Sequence, residues 1–394
     1  MIAGLRLAAL ALAALALSAF SIKVLPVPFI WVGLTWTCAF VVSALLLPRP
    51  WSKSRTRFFL LFNAGAVSAL LTGAEAYLLL NEEPPSVRYS EGYYTEDAVL
   101  GTSPSKGHEG HATRSAHGKQ IYDVTYTIDS NGLRIAPPVN AGPAGCILFF
   151  GDSFTFGEGI KDTETLPYQV GIESGGRYRT YNFGFHGYGP HHMLAAIEHG
   201  LVGHDVECRP DVAIYSALAD HALRVAGKVS YGQHGPRYQL TSDGGVRAAG
   251  RFDDDEPPPW SWPARIRSKL NKSALFRLVT DRHPAPTDQD TDLVLAIVQR
   301  SRDLLYAEYP GIRFHVILWR VEPGEQAIYE GLERGFAKLN LPFHRVEDIL
   351  PGYTLGAKSL QYVLGPDDLH PNALANRLLA NYVLMNIAGR TDTQ

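Results

Sequence analysis

Two uninterrupted apolar stretches near the start of the chain, Phe29 to Leu47 and Phe58 to Leu80, do most to limit what this sequence can be. A helix that crosses a bilayer takes roughly 20 such residues, and neither stretch has the polar face of a helix lying on a soluble core. Pro48 and Pro50 close the first; Asn81, Glu82, Glu83, Pro84 and Pro85 close the second. Between them Arg49, Lys53, Arg55 and Arg57 place four positive charges in a short loop, which the positive-inside rule assigns to the cytoplasm. The second span then leads outward, so everything after Glu82 is expected outside the cytoplasm. Leu7 to Ile22, behind Arg6, reads as a third span. The alternative is a signal peptide with Leu17 to Ala19 as its small-residue cleavage site, and both readings give the same sidedness. Glu75, near the outer end of its span, is expected to snorkel to the interface.

Charge divides the chain the same way. Residues 1–81 form a membrane anchor with six basic residues and one acid, leaving 30 basic and 38 acidic residues for the rest. A net charge of −3 excludes a basic nucleic-acid binder, and three cysteines cannot staple 394 residues into a disulfide scaffold. Residues 82–145 are rich in Pro, Gly, Ser and His and read as a linker with a small β elaboration, a hairpin formed by Tyr122–Ile128 and Gly132–Ile135.

From Cys146 onward strand and helix alternate. Apolar, strand-like runs fall at Cys146–Phe150, Thr180–Gly184, Val212–Ala217, Ile312–Trp319 and Phe343–Val346. Helical periodicity lies between them at Thr163–Glu173, Pro190–Leu201, Asp292–Tyr306 and Glu325–Leu339, with a last helix from about Asn372 to Ile387. Such alternation predicts a parallel sheet covered on both faces, with ligands beyond the carboxyl ends of its strands. The domain spans 146–390, and residues 224–290 interrupt it. That insertion holds a hairpin at Tyr238–Arg247 with an Asp-Gly turn, an acidic and proline-rich loop at Asp253–Pro259, and an amphipathic helix at Ala264–Thr280. Its place in the chain makes it a candidate lid.

Three segments carry chemistry. Ser153 stands where the first strand gives way to a turn, which exposes a hydroxyl and aims the serine amide at the same space. Thr155 stands where the nucleophile elbow of α/β-hydrolases has its second glycine, so that elbow is excluded. His370 lies just before the last helix, and Asp367, three residues earlier, is placed to fix its tautomer. Gly187, in the glycine-rich loop Tyr181–Pro190, can offer an N–H to an oxyanion.

In this order and spacing the three segments resemble the SGNH (GDSL-type) hydrolase superfamily, over roughly residues 145–390. The resemblance implies a flavodoxin-like three-layer α/β/α domain with a parallel sheet. It implies Ser153 as nucleophile, His370 as general base and Asp367 as its orienting carboxylate, with the Ser153 and Gly187 amides in the oxyanion hole. One block departs from the pattern: Asp220 stands where the family has an asparagine donor, or Ala219 after a one-residue shift. An ionised aspartate cannot donate a hydrogen bond and repels an oxyanion, and one missing donor costs about 2.7–4 kcal/mol of transition-state stabilisation. Either Asp220 is protonated, or His221 replaces it, or the hole has only its backbone donors.

The remaining conspicuous residues have plainer readings. His108, Glu109, His111 and His117 lack zinc-site spacing, so no metal or cofactor is expected. His186, His191 and His192 lie near the proposed site; they read as ordinary surface histidines, with lining of the site as the alternative. Cys146 and Cys208 precede neighbouring strands and can bridge in an oxidising compartment, while Cys38 lies inert in a span. The expectation is a membrane-anchored serine esterase of the inner membrane, its catalytic domain periplasmic, acting on ester-linked acyl groups of a glycan or lipid and not on nucleic acid. The alternatives are a polysaccharide O-acetyltransferase of the same fold and a catalytically inert binding module.

Overall fold

The computed structural model describes residues 2–25, 27–46, 55–82, 87–139, 142, 145–229, 231–255, 262–280, 286–320, 326–353 and 357–389. The chain forms two compact units: residues 1–84 with 256–283, and residues 85–255 with 284–394.

In the first unit, α1 (Ile2–Val24), α2 (Pro28–Leu45) and α3 (Arg55–Leu80) are long helices. The helices α2 and α3, with mean hydropathy 1.7 and 1.4, are long and apolar enough to cross a membrane; the apolar run of α1, Ala8–Val24, is shorter. Small and hydroxyl residues bring α2 against α3, as is usual where no hydrophobic force drives helices together. Thr37 Oγ1 donates to Ser68 Oγ (3.0 Å), and both hydroxyls reach the Gly33 carbonyl, at 2.8 and 3.1 Å. Any side chain at Gly33 would collide with Thr72. Of the expected basic loop, Arg49 and Lys53 lie outside the described residues, while Arg55 and Arg57 open α3.

Glu75 does not snorkel. It is 3% exposed, and its carboxylate accepts from Ser273 Oγ and from the Ala274 and Leu275 amides, each at 2.9 Å. The helix Ala274–Thr280 begins with amides that have no intrahelical acceptor, and Glu75 supplies one. Arg277 forks onto Glu82 at 2.6 and 2.7 Å. The segment read as an amphipathic lid helix is two helices, Trp262–Leu270 and Ala274–Thr280, and it belongs to the unit of α3.

The second unit begins earlier than the sequence pattern suggests. Residues 87–127 are no linker: β1 (Val87–Tyr89), β2 (Tyr94–Asp97), β3 (Gly101–Pro104), β4 (Glu109–Ala116) and β5 (Lys119–Thr127) form a three-stranded antiparallel sheet, β1-β4-β5, and a β2-β3 hairpin. The expected pairing of Tyr122–Ile128 with Gly132–Ile135 shrinks to one bridge, Ile128 with Arg134, flanked by backbone bonds from Asp129 to Leu133 and from Ile135 to Thr127. Tyr93, Tyr122, Tyr126 and Ile128 pack on Phe156, Phe185 and Tyr188 of the loops that follow the central strands.

The central sheet contains β6 (Gly145–Phe150), β7 (Tyr178–Asn182) and β8 (Pro210–Leu218), and, after the hairpin β9 (Pro236–Leu240) and β10 (Val246–Arg251), β11 (Arg313–Trp319) and β12 (Phe343–Arg345). All its pairings are parallel, in the spatial order β7-β6-β8-β11-β12. This is the flavodoxin-like order, whose switch point lies between the first strand and the third, here β6 and β8. Alternate residues of a strand enter opposite layers. Cys146, Leu148 and Phe150 pack with the helices Pro190–Glu198 and Asp288–Glu308, while Ile147 and Phe149 face Leu166–Glu173 and Ala373–Tyr382. A final hairpin, β13 (Val363–Gly365) and β14 (Asp368–Pro371), precedes the last helix.

Cys146, paired with Pro210 across β6 and β8, is disulfide-bonded to Cys208, with Cα atoms 6.3 Å apart. Closing a loop of 62 residues contributes about 4 kcal/mol through the unfolded chain. Protein purified without reductant is expected to leave Cys146 and Cys208 unalkylated until it is reduced. Cys208→Ser should lower the unfolding free energy by about 2–4 kcal/mol, read from chemical denaturation.

Candidate active site

The site forms at the switch point, from residues just past β6, β7 and β8 and from the final hairpin. Gly151 ends the first strand and Asp152 caps the short helix Ser153–Phe156 by accepting from the Phe154 amide at 3.0 Å. The other Asp152 oxygen takes Arg224 Nη1 at 2.8 Å and lies 3.4 Å from His221 Nε2. Burial alone would raise this carboxyl; the Arg224 guanidinium and His221 more than reverse that and hold it well below the ordinary carboxylate range. Asp152 thereby fixes the turn that presents Ser153. Gly184 permits the next loop to close on it, since a Cβ there would come within 3 Å of the Phe156 amide and the Asp152 carbonyl.

Ser153 Oγ lies 2.8 Å from His370 Nε2, and His370 Nδ1 lies 2.6 Å from Asp368 Oδ1. The carboxylate on the histidine is therefore Asp368 and not Asp367. The segment is a strand, where side chains alternate, so Asp368 shares a face with His370 while Asp367 sits in the β13–β14 turn. Asp367 is half exposed, 3.5 Å from His117. Asp368 Oδ1 also accepts the His370 amide at 3.0 Å, and its other oxygen is ion-paired with Arg114 of β4 at 3.1 Å. Burial would lower the His370 pKa; Glu158 first and Asp368 next more than offset this, and the ring is shifted above the ordinary imidazole value.

Gly187 adopts a φ of 74°, the left-handed region where glycine is favoured, and lines the same cleft as Ser153 and His370. Asp220 is there too, but its Oδ2 accepts from Arg224 Nε at 2.7 Å and Tyr231 OH at 3.1 Å. His221 does not substitute for it: fully buried, it turns its ring to Tyr215 OH (2.5 Å) and Asp152. Arg224, bound to Asp152, Asp220 and the Tyr188 carbonyl, is the cation on this wall. It was hidden from sequence reading because it sits beyond the departing block, one helical turn from Asp220, the spacing of an ion pair on a helix.

None of the three histidines is an exposed surface residue, and His186 and His192 line the cleft, the alternative reading of them. His191 and His192 are 2% and 4% exposed; burial, then the charges around them, holds His192 neutral with a pKa down to about 3. His186 Nδ1 lies 2.6 Å from Glu158 and its Nε2 lies 2.8 Å from Tyr93 OH. Glu158 itself, 7% exposed, has its Oε2 3.7 Å from His370 Nε2. A carboxylate between Gly157 and Gly159, five residues after Ser153, was the available signal for it.

The cleft measures about 1550 Å³. From the 224–290 insertion it takes Tyr231, Gly232 and Gly235. Together these groups make a hydroxyl–imidazole–carboxylate line beside a guanidinium, an arrangement able to deprotonate an alcohol and stabilise a developing oxyanion. If the line operates, Asp368→Asn should reduce turnover of an acyl ester by about 10³- to 10⁴-fold, whereas Asp367→Asn should change it less than about threefold. Steady-state kinetics on p-nitrophenyl acetate distinguish the two.

No family model matches the chain, and no curated protein matches it. Among solved structures it is similar to a two-domain esterase active on acetylated mannans, at 17% identity over 62% of this chain and 48% of that one, with a TM-score of 0.35. It is similar to an acetyl xylan esterase from Butyrivibrio proteoclasticus, at 12% identity over 66% and 67% of the two chains and a TM-score of 0.34. It is also similar to a protein assigned to the G-D-S-L lipolytic family from Desulfitobacterium hafniense, at 12% identity over 60% and 97%, with a TM-score of 0.31. GDSL-type proteins and acetyl esterases are thus among the solved structures that this chain resembles.

Proposed function

We propose that the second unit is a serine esterase of the SGNH type, cleaving ester-linked acyl groups from a glycan or lipid outside the cytoplasm. The single observation that carries this reading is the unbroken line Ser153 Oγ–His370–Asp368, with contacts of 2.8 and 2.6 Å, at the carboxyl end of the first sheet strand. Ser153 Oγ attacks the ester carbonyl carbon as its proton passes to His370 Nε2. The tetrahedral oxyanion is met by the Ser153 amide, which as the first in its helix has no intrahelical acceptor, by the Gly187 amide, and by Arg224 in place of the family's asparagine. Collapse breaks the bond to the alcohol oxygen, which takes the proton from Nε2 and leaves. Water, deprotonated by His370, then cleaves the acyl-serine to a carboxylic acid and restores the hydroxyl.

Several features favour a sugar ester over a long acyl chain. Tyr94 and Tyr231, 40% and 45% exposed, give the cleft aromatic surfaces on which sugar rings stack, and Arg114 adds a donor for sugar hydroxyls. The helices α2 and α3 serve as the membrane anchor, and the disulfide fits an oxidising compartment.

A fluorophosphonate probe is expected to label the folded chain, to fail on Ser153→Ala, and to label Ser242→Ala normally, as read by intact mass. Absence of labelling in the folded wild type would favour a binding module instead. With a sugar acceptor present, continued release of free acetate marks a hydrolase, and its disappearance into acylated acceptor marks a transferase.

A further inference from the structure

We infer that Glu158 is a positioning residue for His370, its carboxylate set on the Nε2 side of the ring while Asp368 holds the Nδ1 side. The inference rests on the reading of Ser153 as nucleophile and His370 as its base. In a serine relay with one carboxylate, the imidazolium formed during attack is compensated on one side only. Here Glu158 Oε2 lies 3.7 Å from Nε2, the nitrogen that receives the serine proton, and Asp368 Oδ1 lies 2.6 Å from Nδ1.

Glu158 is held in place as a built part of the site. Its Oε2 meets His186 Nδ1 at 2.6 Å, and its Oε1 accepts from Tyr122 OH at 3.0 Å and Tyr89 OH at 3.4 Å. His186 is in turn fixed by Tyr93 OH, 2.8 Å from its other nitrogen. The turn carrying Glu158 is clamped by the buried guanidinium of Arg134, which donates to the carbonyls of Phe156, Gly157 and Ile160. A counterion for His186 alone would need none of this aim at the cleft, which Glu158 lines.

The charged groups that act on His370 come from several sides: Asp152 and Glu158 from the turns after β6 and Asp368 from β14, with His186 of the loop after β7 behind Glu158 and Arg114 of β4 behind Asp368. Burial disfavours the charged ring, yet Glu158, Asp368 and Asp152 outweigh it and raise the pKa of His370. Burial likewise opposes ionisation of Glu158, and His186, His370 and Tyr122 more than reverse this, keeping its carboxyl below the ordinary range. The ring thus takes up a proton readily during attack, and in the resting enzyme it must lose one to solvent before it acts as a base. Activity is absent where the ring is protonated and rises as pH passes through its raised pKa, so removing the Glu158 charge moves that rise to lower pH.

The test follows fluorophosphonate labelling rates of the full chain in detergent from about pH 5 to 9. The wild-type acid limb is expected above the ordinary imidazole value. Glu158→Gln should move it downward and lower the plateau, while Glu158→Asp, which keeps the charge, should leave the limb near its wild-type position. A Glu158→Gln limb superimposed on the wild type overturns the inference, whatever happens to the plateau, and leaves the serine relay intact. If Glu158→Gln does not fold, the wild-type limb decides alone: a position at or below the ordinary imidazole value overturns it. Absence of Ser153-dependent labelling in the wild type at every pH overturns both readings.

Discussion

The site depends on one buried carboxylate. Asp152 has no exposed side-chain surface and sits between the end of β6 and the segment after β8, the two strands that flank the switch point. One oxygen caps the helix that presents Ser153, and the other gathers Arg224 and lies beside His221. A charge in this position is tolerated only because it is paired and hydrogen-bonded, and leaving it unpaired costs several kcal/mol. The hydroxyl of Ser153 and the guanidinium of Arg224 are therefore placed by the same group, so a disturbance of either one reaches the other through Asp152.

A second layer of support comes from residues far earlier in the chain. Arg114 braces Asp368 from β4, and Arg134, stacked 4.5 Å over the ring of Tyr126, draws three carbonyls of the turn after Ser153 around its guanidinium. Planar, many-donor side chains suit both tasks, and a lysine would serve neither. The antiparallel sheet ahead of the central domain is thus a wall of the cleft and a brace for the hairpin that carries His370.

Much of this was legible in the sequence, and what was not has physical reasons. The central strands and helices announced themselves through unbroken apolar runs and helical spacing, and Ser153 and His370 through their positions beside those elements. The composition around His370 reads as a loop, where a three-residue reach from Asp367 is natural, whereas the strand that forms brings residues two apart, Asp368 and His370, to one face. The sheet at 87–127 was hidden by its composition: its interior is built from tyrosines between polar residues and glycines, which give a weak period-two signal. For Glu75, sequence gives polarity but not the partner that makes burial of a polar group affordable, and it does not show that the rings of His191 and His192 are buried against each other, 4.1 Å apart. For Glu75 that partner lies 198 residues away.

That long separation bears on how this chain can be cut. The natural excision point from the sequence is the end of α3, but Ser273, Ala274 and Leu275 would then lose their acceptor, and Arg277 would lose Glu82 if the cut fell beyond it. The piece from 256 to 283 is a detour of the polypeptide back to the helical anchor, so it is a passenger without its host in any truncated form. With Leu278 and Val279 already 55% and 69% exposed, such a form would carry a sticky, cationic appendage prone to self-association. Solubility of the second unit is consequently decided by two separated stretches of sequence, and replacing the later one with a short polar bridge matters as much as removing the first.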